Sequence, residues 1–171
     1  MRKANYQDLQ RQNPLGTAFA GLIRHVLERF GNPDISYDLE VPSESRFPGI
    51  RFPGRSRATA IDMLASSPGE HRAIVSTKWS VRHDRVNDIT NECPIYKAAY
   101  ERIYRGSGKH LLYYVLTNEY SPARLSKMLA DTCIDGVVHV HRRAVTAVCQ
   151  LDKRLEEMLD LTIFVQLTYH W

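Results

Sequence analysis

The sequence has no apolar stretch of the length a bilayer requires. Its longest apolar runs, Leu111–Leu116 and Leu161–Val165, fall far short of the roughly 20 residues a spanning helix needs. The opening residues, Met-Arg-Lys-Ala-Asn-Tyr-Gln-Asp, lack an apolar core, so no secretory signal is expected. Cysteine is scarce. Cys93, Cys133 and Cys149 are odd in number and widely spaced, show no zinc or disulfide pattern, and fit the reducing cytoplasm of a bacterial or archaeal cell. His139 and His141 are alternate residues of an expected strand and make no zinc site with Cys133. Neither sign of charge dominates: 23 Lys and Arg stand against 19 Asp and Glu, which excludes the strongly charged, disordered class.

What is present suits one globular domain. A chain of 171 residues with 43% apolar and 25% charged content can bury a substantial core. The pI near 9.0 is a weak pointer to nucleic acid, and the distribution of the charge says more. Arg46, Arg51, Arg55 and Arg57 fall within twelve residues that contain no acid, spaced by a repeated Arg-Phe-Pro-Gly at 46–49 and 51–54. Arg51, Arg55 and Arg57 are candidates for contact with a phosphate backbone; a solvated loop explains them equally well.

The pattern of elements predicts an α/β domain with a mixed sheet. A helix is expected from a Thr17 cap to Phe30, its apolar positions Phe19, Leu22, Ile23, Val26, Leu27 and Phe30 recurring at helical spacing. Residues 31–57 read as an extended loop with a short strand near Ile35–Leu39. Strands at Thr59–Leu64 and Arg72–Lys78 flank a Ser-Ser-Pro-Gly turn and form a hairpin. From Asp84 the spacing turns helical, either kinking at Pro94 or restarting there. His110–Thr117 reads as a buried strand. Ser121-Pro122 opens a helix to Ala130, and Val137–His141 is a further strand. A helix over Asp152–Leu161 and a strand over Thr162–Thr168 complete the expectation.

The chemistry concentrates in one segment. Along a strand, Ile74, Ser76 and Lys78 share a face, and Asp62 lies on the partner strand of the hairpin. A carboxylate and a lysine meeting there could hold a cation and stabilise charge at a phosphate. The usual nuclease motif carries a second acid two residues before the lysine, where this chain has Ser76. Alone, Asp62 with Ser-Thr-Lys is a pattern that chance also produces.

The residues that follow add to it. Arg82-His83-Asp84-Arg85 begins four residues after Lys78, Trp79-Ser80 fill the interval, and Glu92 stands fourteen after the lysine. In this register the segment resembles the CCGG-recognising type II restriction endonucleases of the PD-(D/E)XK group. Those enzymes use a Ser-x-Lys variant of the motif, an Arg-x-Asp-Arg reading element, and a glutamate on the following helix in place of the missing acid. The resemblance covers Asp62 to Glu92. It implies a restriction-endonuclease-like fold, a mixed central sheet flanked by helices, and Mg2+-dependent hydrolysis of double-stranded DNA by a homodimer or higher oligomer. It further implies that Asp62 and Glu92 bind the metal, that Lys78 and Ser76 complete the catalytic set, and that Arg82, Asp84 and Arg85 read bases. The physical chemistry of those three side chains agrees: arginine pairs with guanine O6 and N7, and aspartate accepts from cytosine N4.

The family also places an acid from an N-terminal helix near the metal, for which Glu28 is the best match; an exposed helix glutamate is the other reading. Arg124, after the expected core strand, is a candidate for flanking contacts, or a plain surface arginine. Trp79 reads as a core anchor. The interval from Asp62 to Ser76 is shorter than in many family members, as is the whole chain, which suits a compact enzyme or the catalytic core of a larger architecture. Two rivals share part of the pattern: a repair or junction-type nuclease without CCGG specificity, and a DNA-binding module that does not cut.

Overall fold

The computed structural model describes residues 14–54 and 59–171; Arg55 and Arg57 lie outside the described residues. Six strands form one sheet in sequential order, β1 (Ser36–Pro42), β2 (Ala60–Ser67), β3 (Glu70–Lys78), β4 (Leu112–Thr117), β5 (Gly136–His139) and β6 (Leu159–Asp160). The first three are antiparallel and the rest parallel, so the sheet is mixed, with β3 at the change of direction. Parallel neighbours need crossovers, and helices supply them. On one face lie α3 (His83–Ile103), α4 (Pro122–Leu129) and α5 (Arg142–Leu151). The other face is covered by α1 (Pro14–Phe30) and α6 (Leu161–Leu167); the four-residue α2 (Ser43–Arg46) follows β1.

Strand alternation sorts the core into two clusters. Leu64, Ile74, Tyr113, Val115 and Val137 pack under α3 and α4 against Ile89, Tyr96, Tyr100, Leu125 and Met128. Met63, Ala73, Val75, Tyr114, Leu116 and Val138 face Phe19, Ile23 and Leu27 of α1 and Phe164 of α6. Helix α1 is already formed at Pro14, so Thr17 is not its cap, and Leu22 and Phe30 lie on its exposed side. Helix α3 runs unbroken through Pro94.

The repeated Arg-Phe-Pro-Gly is a repeated turn. Gly49 and Gly54 both take φ of 75°, with proline preceding each, as a type II turn requires. The Ile50 N–H closes the first turn onto the Phe47 carbonyl at 3.1 Å. The turns send Phe47 and Phe52 inward against Tyr96, with ring centroids 5.6 and 5.2 Å away.

The C-terminal third departs from the sequence reading. Helix α5, unassigned from the sequence, is capped by the His141 ring, which accepts the Ala144 N–H. The expected helix at 152–161 is a single 3-10 turn, Lys153–Leu155, followed by β6. The expected last strand is α6, capped by Asp160, whose carboxylate accepts the Ile163 N–H at 2.9 Å. Its β-branched Thr162, Ile163 and Val165 favour strand locally. The helix prevails because it turns Leu161, Phe164, Val165 and Thr168 toward the sheet.

Cys93 and Cys133, expected as independent thiols, form a disulfide that ties α3 to the α4–β5 connection, with Cα atoms 6.1 Å apart across a sequence separation of 40. Cys149 is free. No described helix is long and apolar enough to cross a membrane. A closed loop of that length restricts the unfolded chain by about 4 kcal/mol in the chain-entropy treatment. Dithiothreitol should therefore lower the urea midpoint of unfolding, and Cys133→Ser should do the same without reductant; unchanged midpoints would show that the link contributes nothing.

A buried carboxylate anchors the start of β3. Glu70 accepts from the Tyr100 hydroxyl at 2.8 Å and pairs with Arg72 at 2.9 Å and Lys109 at 2.5 Å. Burial pushes its carboxyl up, but these donors outweigh burial and hold it below the ordinary 4.5. A depressed folded pKa gives stability that is present above the unfolded value and lost as pH falls through the folded one. Acid titration should show this loss below about pH 4.5 in the native chain, and Glu70→Gln should flatten that limb of the curve.

Candidate active site

The β2–β3 hairpin is paired only as far as Met63–Val75. Beyond that point the strands part, and Asp62 fills the gap with its side chain. Its Oδ2 accepts from the Thr77 backbone N–H at 3.0 Å, where a ladder carbonyl would otherwise stand, and from the Ser76 hydroxyl at 3.1 Å. The Lys78 ammonium bonds the same oxygen. Strand β3 stays rigid here because β4 continues to pair with it as far as Lys78–Thr117. Ser76 and Lys78 thus bond the same carboxylate oxygen side by side.

The parted strands open a cavity of about 170 Å³ lined by Asp62, Ser76, Lys78, Arg85, Glu92, Tyr96 and Tyr113, among others. Glu92 reaches it from α3, two turns after Arg85. Its floor is aromatic: the Tyr96 hydroxyl bonds the Ser43 hydroxyl at 2.7 Å, and Tyr113 stacks on Tyr96 at 6.4 Å. Burial pushes the Tyr113 phenol well above its ordinary value, and the charges of Glu92 and Asp62 push it further, while Ser76 acts the other way. Tyr96 is raised by burial, against hydrogen bonds to Ser43 and Thr59 that lower it and the same two carboxylates that raise it. Both phenols therefore remain protonated at neutral pH and can donate but not act as bases.

Two carboxylates facing one cavity beside a lysine are hard oxygen donors of the kind a magnesium ion takes, with water and phosphate oxygens completing its shell. Among the described residues no three of His, Cys, Asp and Glu gather into a ready-made cage. Asp62 and Glu92 would together offer a cation two carboxylates at this cavity.

A second cavity of about 590 Å³ adjoins the first through Asp62, Lys78 and Arg85, and carries Arg82, Trp79 and Glu40 on its walls. Trp79 is not a core anchor: it is 41% exposed and meets Phe19 edge-on at 5.5 Å. Arg82, Asp84 and Arg85, expected from the sequence to read bases, occupy the start of α3. Arg82 is its N-cap, and Asp84 and Arg85 lie in its first turn. They are exposed and paired locally, Arg82 with Asp84 and Arg85 with Asp88, each at 3.3 Å. Such exposed pairs contribute about 0.2–1 kcal/mol and exchange readily for a stronger partner.

Other expected residues lie elsewhere. Glu28 pairs with Arg24 at 2.6 Å on the exposed side of α1. The residues of α1 that line the larger cavity are Leu15, Gly16, Thr17 and Ala20, and at 1.5 Å per residue Glu28 lies about 12 Å further along the axis than Ala20. The structure does not bring it to the site. Arg51 pairs with Glu44 at 3.4 Å on the surface of the turn-rich loop. Arg124 is bonded to the buried Glu119 at 3.0 Å. His139 is buried with Nε2 3.1 Å from the Glu119 carbonyl, and its Nδ1 accepts the His141 N–H.

The sequence reading assigned no role at the site to Tyr96 and Tyr113, nor to two acids, one at the larger cavity and one beside it. Glu40 lies on β1 opposite Asp62, between the pairs Leu39–Met63 and Val41–Ile61, and lines the larger cavity. Its φ of 49° makes it the one non-glycine residue at positive φ among those described. Nothing in its local sequence announces that strain. Glu119 is the other; an acid directly after an apolar strand and before Ser-Pro is a weak signal for a loop-fixing carboxylate.

No family model and no curated protein matches the chain. Two solved structures match it. The crystal structure of the type IIF restriction endonuclease Bse634I with cognate DNA superposes with a TM-score of 0.53 at 14% identity, over 90% of this chain and 79% of that one. A second Bse634I structure gives a TM-score of 0.51 at 13% identity, over 91% of this chain and 78% of that one. The chain therefore has a restriction-endonuclease-like α/β fold, with a mixed six-stranded sheet flanked by helices.

Proposed function

We propose that this protein is a magnesium-dependent endonuclease that cuts double-stranded DNA as a type II restriction enzyme, at a site containing CCGG. The observation that carries this reading is a juxtaposition: Asp62, Lys78 and Glu92 line one cavity, and Arg85 lines both that cavity and the one that holds Arg82. Chemistry and sequence reading thus come from one strand end and one helix start.

Asp62 and Glu92 are the residues to hold Mg2+. The ion, when bound, supplies charge stabilisation at the phosphate and lowers the pKa of water. Asp62 orients Lys78 through their shared hydrogen bond, so the ammonium stands at the cavity with spare donors for a phosphate oxygen. Ser76 takes the place of the usual second acid; its hydroxyl donates to Asp62 and so leaves the acid's other oxygen available. Tyr96 and Tyr113 line the same cavity. Arg82 and Arg85 suit guanine edges and Asp84 a cytosine amino group, so the trio favours G·C pairs. A palindromic site calls for a two-fold homodimer at least.

Asp62→Ala and Lys78→Ala should each lower the cleavage rate by at least about a hundredfold, while binding to a CCGG duplex persists. Near-native cutting by either variant with Mg2+ present would rule out this site.

Substituting Arg82 or Arg85 with Ala should weaken binding to a CCGG duplex by roughly ten- to a hundredfold, the range of one bidentate base contact, and hardly affect a scrambled duplex. Asp84→Asn and N4-methylation of the target cytosine should interfere in the same selective way. Titrations of both duplexes at one salt concentration measure this. Equal losses on both would make these residues phosphate clamps and favour a nuclease that does not read sequence.

A further inference from the structure

The catalytic strand and the reading helix are joined by only three residues. Strand β3 ends at Lys78, Trp79 to Val81 make the crossing, and Arg82 caps α3. The crossing belongs to no helix or strand. Its backbone is held at two points, both from the β4–α4 connection: the Asn118 N–H donates to the Trp79 carbonyl at 3.2 Å, and the Val81 N–H donates to the Glu119 carboxylate at 2.9 Å.

Glu119 is 7% exposed, an unusual burial for a carboxylate. Both oxygens are fully used. Oε1 accepts the N–H groups of Tyr120 and Ser121, each at 2.9 Å; Oε2 accepts the Val81 N–H and the Arg124 guanidinium at 3.0 Å. The residue is itself fixed, its N–H on the Thr117 hydroxyl at 3.1 Å and its carbonyl 3.1 Å from the His139 ring. A second tie runs from α4 to the same end of α3, where Lys127 donates to the Asn87 side chain at 2.6 Å.

From this geometry we infer that Glu119 is the positioning residue that sets where the reading arginines stand relative to Lys78. The inference rests on the reading of Arg82, Asp84 and Arg85 as base contacts. Every neighbour of the carboxylate is a donor, so an amide cannot replace it: one end of a glutamine would turn its own N–H groups toward two donors. Released at Val81, the crossing keeps one tether, and Arg82 and Arg85 lose their fixed distance from the catalytic lysine. Arg124 acts through Glu119 as its counter-ion.

The test is a titration of Glu119→Gln against CCGG and scrambled duplexes, beside Val148→Ala, a core change on α5 away from the crossing that serves as a stability control. Glu119→Gln should raise Kd for the CCGG duplex about tenfold, the value of one base contact, and leave the scrambled duplex within twofold. Val148→Ala should keep the native discrimination despite its lowered Tm. Glu119→Asp, which keeps the charge but is one methylene too short to hold the Val81 N–H together with the Tyr120 and Ser121 N–H groups, should lower discrimination in the same direction. It supplies the answer if Glu119→Gln does not fold. Discrimination within twofold of the native ratio in a folded Glu119→Gln, or in Glu119→Asp where it is needed, overturns the inference. Native protein that binds both duplexes alike would instead overturn the reading beneath it, and this inference with it.

Discussion

Asp62 receives three donors on one oxygen at the place where two strands stop pairing. The Thr77 N–H would be orphaned there, and leaving a buried donor unmade costs about 1–3 kcal/mol. The Asp62 carboxylate satisfies that N–H, takes the Ser76 hydroxyl, and holds Lys78. Because the carboxylate does what a ladder carbonyl would do, the hairpin can splay without losing the bond, and the splay is what opens the cavity. The parallel pairing of β3 with β4 keeps the lysine end straight while the other edge opens. Helix α3 then closes the cavity with Glu92, and its own position follows from the short crossing after Lys78.

That dependence explains why the site was legible from residue spacing. Strand alternation puts Ser76 and Lys78 on one face, and helical spacing puts Arg85 and Glu92 on one stripe, whatever the rest of the chain does. Asp62 needed one further assumption, the hairpin, which Pro68-Gly69 marks clearly. The parts that were not legible depend on contacts distant in sequence. Helix α6 has strand-like residues and becomes a helix because Asp160 caps it and Phe164 must reach the sheet. Glu28 is the best match to the acid the resemblance places on the first helix, but helix geometry carries it past the cavity. The Cys93–Cys133 link joins residues whose separation of 40 forms no motif. Glu119 acts on another segment by accepting the Val81 N–H, and Glu40 reaches the site by standing opposite Asp62 across the β1–β2 pair.

Charge placement follows the same division. The arginines of the turn-rich loop alternate in sequence with Phe47 and Phe52, which pack on Tyr96 of the smaller cavity's lining. The loop therefore has an apolar inner side that supports the cavity, with Arg46 and Arg51 on its exposed side. At the start of α3 Arg82 and Arg85 are exposed and paired locally with Asp84 and Asp88. Around Glu70 and Glu119 the charges are buried and fully bonded, which suits a fixed scaffold.

The claim that chemistry and sequence reading share one strand end and one helix start is tested most directly by digesting plasmid DNA with the native protein and Mg2+ and mapping the ends. Ends that fall uniformly at one CCGG-containing site, and that disappear when Mg2+ is chelated, are the result this account predicts. Ends scattered through the plasmid, or intact plasmid under all metal conditions, would contradict it.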